Sequence, residues 1–450
     1  MLKGKDMGSE RIGMLRRRLE QVDPVHLTGK VSKVVGLLVE GWLPDARVGA
    51  MCRIEPPDGQ EPVAAEVVGF RREAALLMPL GPMQGVAPGS SISSQGLEAR
   101  VGVGPGLQGR VVDGLGRPLD GMPPAPALEQ RSIYNPAPNP LGRRPPRRPL
   151  SLGIKVIDTC LTCAEGQRMG IVAGTGLGKS VLCGIIGRHS QADVNVIALI
   201  GERGREVRQF LDRDLGQEGL ARSVVVAVTG DRSPVERTRA AFLATTIAEY
   251  FRDQGRSVLL IMDSLTRVAM AQREVGLAVG EPPTSKGYPP SVLALLPRLV
   301  ERAGTAAGRG SITALYTVLA EQDDMEDPVV DAARAVLDGH IVLSRQLASR
   351  GHWPAIDILA SVSRLMNDVV DDEHRRLAAQ VRSLIADYEE AKDLVHVGAY
   401  QRGSNPRIDR ALEVIEELMA FTRQSDKEFY SLEESLQQLR TLLQSGRGGR

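Results

Sequence analysis

The chain between residues 27 and 95 alternates short apolar segments with glycine, proline and aspartate. Segments such as Val31 to Val39, Cys52 to Ile54 and Ala64 to Val68 have the length and spacing of strands joined by tight turns. This pattern predicts a small β-barrel domain at 27–95.

A proline-dense segment runs from Arg117 to Pro149. Proline removes backbone donors and blocks regular elements, so we interpret 117–149 as a linker inside a second domain at 96–370. The basic run from Arg143 to Arg148 could contact phosphates, but a solvated basic linker is the favoured interpretation.

Beyond the linker, apolar runs alternate with segments of helical length. This alternation is typical of a parallel sheet covered by helices on both faces. The predicted strands are Met169 to Val172, Val194 to Ile200, Val224 to Val228, Val258 to Met262 and Ile312 to Val318.

Helical spacing dominates the two ends of the chain. After about Asp371 the apolar residues follow a 3.6-residue period, which predicts a C-terminal α-helical domain at 371–450. At 1–26, the residues Ile12, Leu15, Leu19 and Val22 have the spacing of an amphipathic segment. That segment either docks on a partner or membrane or packs on the barrel of its own chain.

Composition disfavours one class of function and suggests a compartment. The 56 Lys and Arg residues nearly balance 55 Asp and Glu, and only 3% of residues are aromatic. Both values disfavour nucleic-acid binding, which needs a basic face and rings for stacking. An N-terminus without an apolar core and the lack of any run of about 20 apolar residues predict a cytoplasmic protein. Cys160 and Cys163 form an isolated pair, for which burial is the favoured interpretation over a metal or redox role.

The segment from Ala173 to Ser180 carries the strongest chemical signal. It follows an apolar run, precedes a helical stretch, and reads Ala173, Gly174, Thr175, Gly176, Leu177, Gly178, Lys179, Ser180, with Val181 next. Such a loop binds a polyphosphate through backbone N–H groups at a helix N-terminus. Lys179 would neutralise the phosphates and Ser180 would bind Mg²⁺. The usual pattern has glycine where this chain has Ala173.

Two acids follow apolar strands downstream of this loop. Asp263 ends the run Val258 to Met262, as expected of the carboxylate that holds Mg²⁺ through water. Glu202 follows Val194 to Ile200 at the sheet edge where ligands collect. From these residues alone, Glu202 is equally well a base that activates water or a surface acid paired with Arg203 or Arg205.

Five further motifs follow one another along the chain: Gly201 to Val207, Met262 to Arg267, Gly280 to Pro283, Lys286 to Ser291 and Gly398 to Ser404. Together they resemble the catalytic branch of the rotary ATPases, the ATP synthase alpha/beta family, and within it the type III protein-export ATPases. Two other segments, Met270 to Leu277 and Asp323 to Pro328, resemble the flagellar branch more than the virulence injectisome branch. The resemblance covers the chain from about Gly29 onward. It implies a multidomain fold with an N-terminal β-barrel, a central α/β RecA-like P-loop ATPase domain and a C-terminal α-helical domain.

The resemblance also implies roles for individual residues. Glu202 matches the catalytic base, Arg203 a phosphate-side arginine, and Arg364 the arginine finger given to a neighbouring subunit. Trp353 and, less securely, Phe421 match the aromatic residues beside adenine, although either ring could be core.

The implied function is ATP hydrolysis that drives export of flagellar proteins across the cytoplasmic membrane, with ATP and Mg²⁺. Implied partners are identical subunits in a hexamer, regulatory and stalk proteins, export substrates and chaperones, at the inner face of the membrane and without nucleic acid. A non-catalytic ring subunit would lack a base such as Glu202, and an ATP synthase catalytic subunit would lack its own finger. An injectisome ATPase and a nucleic-acid translocase remain alternatives.

Overall fold

The computed structural model describes residues 28–94, 99–126, 128–320 and 327–445. The predicted amphipathic segment at 1–26 and most of Asp323 to Pro328 lie outside these ranges. Contacts divide the chain into one unit that ends at Ala99 and a second that begins at Arg100. The C-terminal helices share the second unit with the sheet, and the finer boundaries at 27, 96 and 371 stay predictions.

The first unit contains a closed six-stranded antiparallel barrel, which confirms the predicted fold of this region. Its strands follow the order β1-β2-β5-β4-β3-β6, and their alternate residues fill an apolar interior that includes Val39, Ile54 and Leu77. The apolar run Val31 to Val39 forms two strands, because Gly36 turns the chain with a φ of 57°. The strands are β1 Thr28–Val35, β2 Leu38–Trp42, β3 Met51–Glu55, β4 Val63–Arg71, β5 Ala74–Pro79 and β6 Ser91–Ser94.

The second unit is built on a nine-stranded sheet of order β19-β18-β12-β17-β15-β13-β14-β8, with β16 paired to β17. All five strands predicted from the apolar runs are present, each two residues longer than its run. The strands of this unit are β7 Arg100–Val103, β8 Val111–Val112, β9 Glu129–Ser132, β10 Pro149–Leu150, β11 Cys163–Ala164, β12 Arg168–Ala173, β13 Val194–Glu202, β14 Ser223–Thr229, β15 Ser257–Asp263, β16 Gly304–Thr305, β17 Ser311–Leu319, β18 Gly339–Leu343 and β19 Ile356–Ser363.

The central strands are parallel and buried on both faces, since helices cover the sheet. β19, at one edge of the sheet, pairs antiparallel with β18, and the short β16 pairs antiparallel with β17. The helices are Lys155–Cys160, Lys179–His189, Gly204–Gln209, Gly216–Ala221, Pro234–Asp253, Leu265–Val279, Pro290–Val300, Pro328–Val336, Arg345–Ser349, Met366–Val369, Asp372–His396, Pro406–Thr422 and Leu432–Ser445, and a π-helical segment spans Phe210–Leu215.

The last three helices confirm the predicted helical C-terminus. Asp371 caps the first of them by accepting a hydrogen bond from the backbone N–H of His374 at 2.8 Å. Buried residues at helical spacing, such as Val381, Leu384 and Leu418, pack these helices onto the core of the sheet unit.

The linker differs from its prediction at two places. Residues 127–135 contain no proline, and within them Glu129–Ser132 forms a strand that pairs with Arg100–Val103. Arg143 is largely buried rather than solvated, because its Nη1 donates to the carbonyl of Ala303 at 2.7 Å. Its neighbours Arg144, Arg147 and Arg148 are exposed, as the solvated interpretation expects.

The four cysteines are buried free thiols. Burial raises the pKa of Cys160 to about 11, which keeps its thiol protonated and unreactive at neutral pH. Within the described ranges, the structure contains no helix with the length and apolar character needed to span a membrane.

Candidate functional site

A glycine-rich loop joins β12 to the helix Lys179–His189 at the carboxyl edge of the sheet. Gly176 and Gly178 have φ values of 79° and 78°, in the left-handed region that favours glycine. A Cβ on Gly178 would lie 2.9 Å from the Trp353 ring, so this position also requires glycine for space. A loop of this form presents backbone N–H groups and the positive end of the helix dipole to an anion.

Ala173, the one departure from the usual loop pattern, belongs to the strand rather than to the turn. It ends β12, pairs with Leu319 on β17 and is 1% exposed. Its carbonyl accepts a hydrogen bond from the backbone N–H of Ala320 at 3.1 Å. A strand residue accommodates a Cβ, so alanine fits where glycine is common.

Lys179 lies between two carboxylates. Its Nζ donates to Oδ1 of Asp263 and lies 3.5 Å from Oε1 of Glu202. Thr317 Oγ1 donates to the same Asp263 oxygen at 2.8 Å, which fixes that carboxylate at the end of β15. Burial alone would lower the pKa of Lys179, but the two acids outweigh burial and raise it. The ammonium therefore stays charged next to the loop.

Glu202 has the environment of a general base. Burial, together with the negative charge of Asp263 and against the opposing effect of Lys179, raises the pKa of Glu202 to about 6. The acid is therefore mostly ionised at neutral pH and basic enough to accept a proton from water. The ion-pair partner that the structure gives Glu202 is Lys179, rather than Arg203 or Arg205.

Arg203 is exposed and begins the helix Gly204–Gln209. Its backbone N–H donates to Oε2 of Glu206 at 3.4 Å, and its carbonyl accepts from the backbone N–H of Glu206 at 2.8 Å. Arg203 follows Glu202 directly in the chain, and its exposure leaves it accessible to solvent.

The oxygen donors beside the loop suit Mg²⁺. Ser180 is exposed as the second residue of the loop helix, and Asp263 is 2% exposed at the end of β15. The contacts of Asp263 with Lys179 and Thr317 both use Oδ1. Mg²⁺ prefers hydroxyl, carboxylate and phosphate oxygens, so this donor set fits the cation that accompanies a nucleotide.

A cavity of about 330 Å³ opens beside the loop helix. Trp353, which is 42% exposed, forms one side, and Val181 on the loop helix contributes to the floor. The cavity is mostly apolar, as a site for a flat aromatic base should be. Its lining residues are Gly176, Leu177, Gly178, Val181, Leu182, Ile185, Leu343, Trp353, Pro354, Ala355, Gln424 and Asp426.

Phe421 is not among the residues that line this cavity. It is 7% exposed within the core, and Nζ of Lys155 lies 5.3 Å from the centre of its ring. The role of Phe421 beside adenine stays a prediction. Residues three and five positions later, Gln424 and Asp426, face the cavity instead.

Arg364 lies near the amino ends of the parallel strands, whereas the loop lies at their carboxyl ends. Arg364 follows β19, and the last residue of β19, Ser363, pairs with Gly339 at the start of β18. Its side chain is exposed, and its backbone N–H donates to the carbonyl of Asp338 at 3.0 Å. One subunit therefore does not bring Arg364 to its own loop.

Sequence reasoning missed residues that the structure brings to the site. Thr317 orients Asp263, and its position in an apolar strand gave no signal beyond β propensity. Arg267 packs its side chain against Gly201, next to Glu202, and its Nε is buried without a hydrogen-bond partner. Arg267 belongs to a motif noted for the resemblance, so that motif could have identified it.

Three family models match the chain. The β-barrel domain of the ATP synthase alpha/beta family matches residues 31–96, and the nucleotide-binding domain of that family matches 153–363. The C-terminal domain of the type III secretion ATPase EscN matches 370–441. Together the three matches follow the same order as the barrel, sheet and helices.

Curated relatives and solved structures agree with these matches. The flagellum-specific ATP synthase of Bacillus subtilis is 49% identical over 94% of this chain and 97% of its own length. The type 3 secretion system ATPase of Sinorhizobium fredii is 48% identical over 94% of both chains. The assembled ATPase EscN of enteropathogenic E. coli is 46% identical with a TM-score of 0.87, covering 92% of this chain and all of that chain. EscN in complex with its central stalk EscO gives a TM-score of 0.85, with the same identity and coverage.

Proposed function

This chain belongs to the ATP synthase alpha/beta family, and we propose that it is the ATPase that drives export of flagellar proteins across the cytoplasmic membrane. The observation that carries the proposal is an identity of 49% to a flagellum-specific enzyme over 94% of this chain, combined with Lys179, Glu202 and Asp263 in contact beside one loop. An injectisome ATPase is the second candidate, because the Sinorhizobium enzyme is almost as similar.

The reaction is hydrolysis of ATP. In our proposal the loop Ala173 to Ser180 holds the phosphates, and Lys179 neutralises the charge that grows on them as the bond to the γ-phosphate breaks. Glu202 orients the attacking water and takes its proton onto a carboxylate oxygen. Arg203 contributes positive charge on the solvent side of the phosphates.

Ser180 and Asp263 would hold Mg²⁺, which when bound supplies charge that stabilises the leaving phosphate. Thr317 keeps the Asp263 carboxylate in place. The indole of Trp353 stacks on the adenine, with Val181 on the cavity floor. These assignments rest on the distances and burial of the described residues.

The site is completed by a second copy of the chain. Arg364 lies at the end of the sheet away from its own loop, which supports a role at the loop of a neighbouring subunit. A head-to-tail ring makes every interface catalytic, and the assembled form of EscN supports such a ring, which we propose is a hexamer.

The proposed partners follow from the same relatives. EscN binds a central stalk, EscO, and we propose a corresponding stalk protein for this chain, with regulatory proteins, export substrates and chaperones as further partners. Export across a membrane requires the ring to work at its cytoplasmic face, which makes a peripheral membrane position part of the proposal.

Deletion of the gene with complementation tests the proposal. Wild-type chain should restore flagellar filaments, whereas Glu202→Gln and Lys179→Ala, expressed at the same level, should restore neither filaments nor ATP hydrolysis by the purified protein. Normal filaments in the deletion strain, with lost secretion through an injectisome, would assign the chain to the second candidate. Salt-sensitive stimulation of hydrolysis by single-stranded nucleic acid would instead indicate a translocase.

A further inference from the structure

The indole of Trp353 is partly exposed, so its orientation depends on the backbone that carries it. The ring packs against Gly178 of the loop on one side and is open to the cavity on another. A ring that stacks on a ligand binds most tightly when its position is fixed before the ligand arrives, because little conformational freedom is then lost on binding. The groups that hold residues 352 and 353 therefore bear on nucleotide affinity.

The segment directly after the helix Pro406–Thr422 holds this backbone. The backbone N–H of Gln424 donates to the carbonyl of Trp353 at 2.9 Å. The side-chain amide of Gln424 is itself fixed, since Oε1 accepts from the backbone N–H of Lys155 at 2.9 Å and Nε2 donates to the carbonyl of Gly153 at 2.8 Å. The backbone of Trp353 is thus tied to a residue that the core of the sheet unit keeps in place.

His352 provides a second tie to the same helix end. It is 2% exposed, and burial together with the charge of Arg423 lowers the pKa of His352 to about 4, so its ring is neutral at pH 7. Nε of Arg423 donates to Nδ1 of His352 at 3.4 Å, which leaves the ring proton on Nε2. Nε2 then donates to Oγ1 of Thr422 at 3.1 Å, and that hydroxyl donates to the carbonyl of Met419 at 3.1 Å. Each ring nitrogen therefore has a partner at the end of one helix.

We propose that His352 is a positioning residue, which fixes Trp353 so that its indole stacks on adenine. This inference rests on the proposed function, in which the cavity holds the base. His352 is not among the residues that line that cavity, so it acts through the backbone of its neighbour. Without its two hydrogen bonds the indole would be free to move, and the base would bind less tightly while the loop still held the phosphates. Affinity for the base then depends on the position of the helix Pro406–Thr422.

Steady-state hydrolysis by variants of the full chain tests this role. His352→Leu removes both hydrogen bonds and keeps a side chain of similar size in the core. We expect its KM for ATP to rise about five- to tenfold with kcat within about twofold of wild type, because the lost interaction serves binding and not the chemical step. His352→Gln has one acceptor and one donor, so its KM should return to within about threefold of wild type.

His374→Leu is the matched control. His374 is also a buried histidine that ties a C-terminal helix, Asp372–His396, to the sheet unit, since its Nε2 lies 2.8 Å from the carbonyl oxygen of Thr159. Neither His374 nor Thr159 lines the cavity. The KM of this variant should stay at the wild-type value.

Fluorescence of Trp353 gives a second measurement, which reports on the base directly. The chain has two tryptophans, so Trp42→Phe leaves Trp353 as the single indole. In this background ADP should change the emission of Trp353 as adenine stacks on it. His352→Leu should raise the Kd for ADP by the same factor as the KM for ATP, and His374→Leu should leave this Kd unchanged.

The outcomes separate this inference from the proposed function. If wild type hydrolyses no ATP, the proposed function fails. If wild type hydrolyses ATP but ADP leaves the emission of Trp353 unchanged, or His352→Leu keeps the wild-type KM, the inference is wrong. An equal rise in KM for His374→Leu would also overturn it, because a general loss of packing would then explain both variants.

A further variant decides the matter if His352→Leu does not fold. Thr422→Val removes the partner of Nε2 and leaves His352 in place. Its KM for ATP should rise about threefold with kcat retained. A wild-type KM in Thr422→Val would then count against the positioning role.

Discussion

Replacing Glu202 by glutamine should stabilise the protein at high pH while it removes the base. The folded state raises the pKa of Glu202 from 4.5 to about 6. A raised pKa means that the stability supplied by the protonated acid is complete below pH 4.5 and is lost as pH rises through 6. The total loss is about 2 kcal/mol, since one pKa unit corresponds to about 1.4 kcal/mol.

Glutamine resembles the protonated acid and does not titrate, so Glu202→Gln should escape this loss. Between pH 5 and pH 8 the stability of the variant relative to wild type should grow by about 1.2 kcal/mol. The unit that begins at Arg100 has an unfolding entropy of about 0.7 kcal/mol/K, at roughly 2.1 cal/mol/K per residue. The gap in Tm should therefore widen by about 1.7 °C.

Scanning calorimetry of both proteins without nucleotide, at pH 5 and pH 8, measures this gap. The exposed Glu413→Gln serves as a matched control for loss of one carboxylate, and its gap from wild type should not widen. In wild type, kcat should decline below pH 6 as Glu202 takes up a proton. A Tm gap that is the same at both pH values, or a variant less stable than wild type at pH 8, would refute the claim that burial raises the pKa of Glu202 and makes its ionised form destabilise the fold.

Three further changes test other parts of the site. Thr317→Val should lower the free energy of unfolding by about 1.5–3 kcal/mol in chemical denaturation and slow hydrolysis, because Asp263 loses a buried hydrogen bond. Unchanged stability would contradict the role of Thr317 in holding Asp263. Gly178→Ala should raise the KM for ATP in steady-state assays at least tenfold. The new Cβ would clash with the Trp353 ring, and residue 178 has a left-handed φ that disfavours alanine. A normal KM would show that the loop adapts. Arg364→Ala subunits mixed with wild type should inhibit hydrolysis by more than their share, and strictly proportional activity would argue against a shared site.

The fold was predictable where burial leaves a simple pattern. Strands buried on both faces read as continuous apolar runs, which is why runs such as Val194 to Ile200 located the sheet. The order of the strands in the sheet and the direction of each strand cannot be read from such runs. The sequence of β19 does not reveal that this strand runs antiparallel. That direction decides at which end of the sheet Arg364 lies.

The site was predictable where a motif fixes the backbone, as in the loop and in the acids that end β13 and β15. Residues that act through tertiary contacts were not. Phe421 and Gln424 are close in sequence, but only packing decides that the first enters the core and the second faces the cavity. Arg143 shows the same limit, because a basic run does not indicate which guanidinium meets a buried carbonyl.

The position of Arg364 has a consequence for dilute protein. In the proposed arrangement, in which Arg364 serves the loop of a neighbouring subunit, a subunit without a neighbour would bind ATP with its own loop but hydrolyse it slowly. Specific activity should therefore rise with protein concentration until assembly is complete. In a cell, the same geometry would restrict ATP consumption to places where subunits are gathered, without a separate inhibitor.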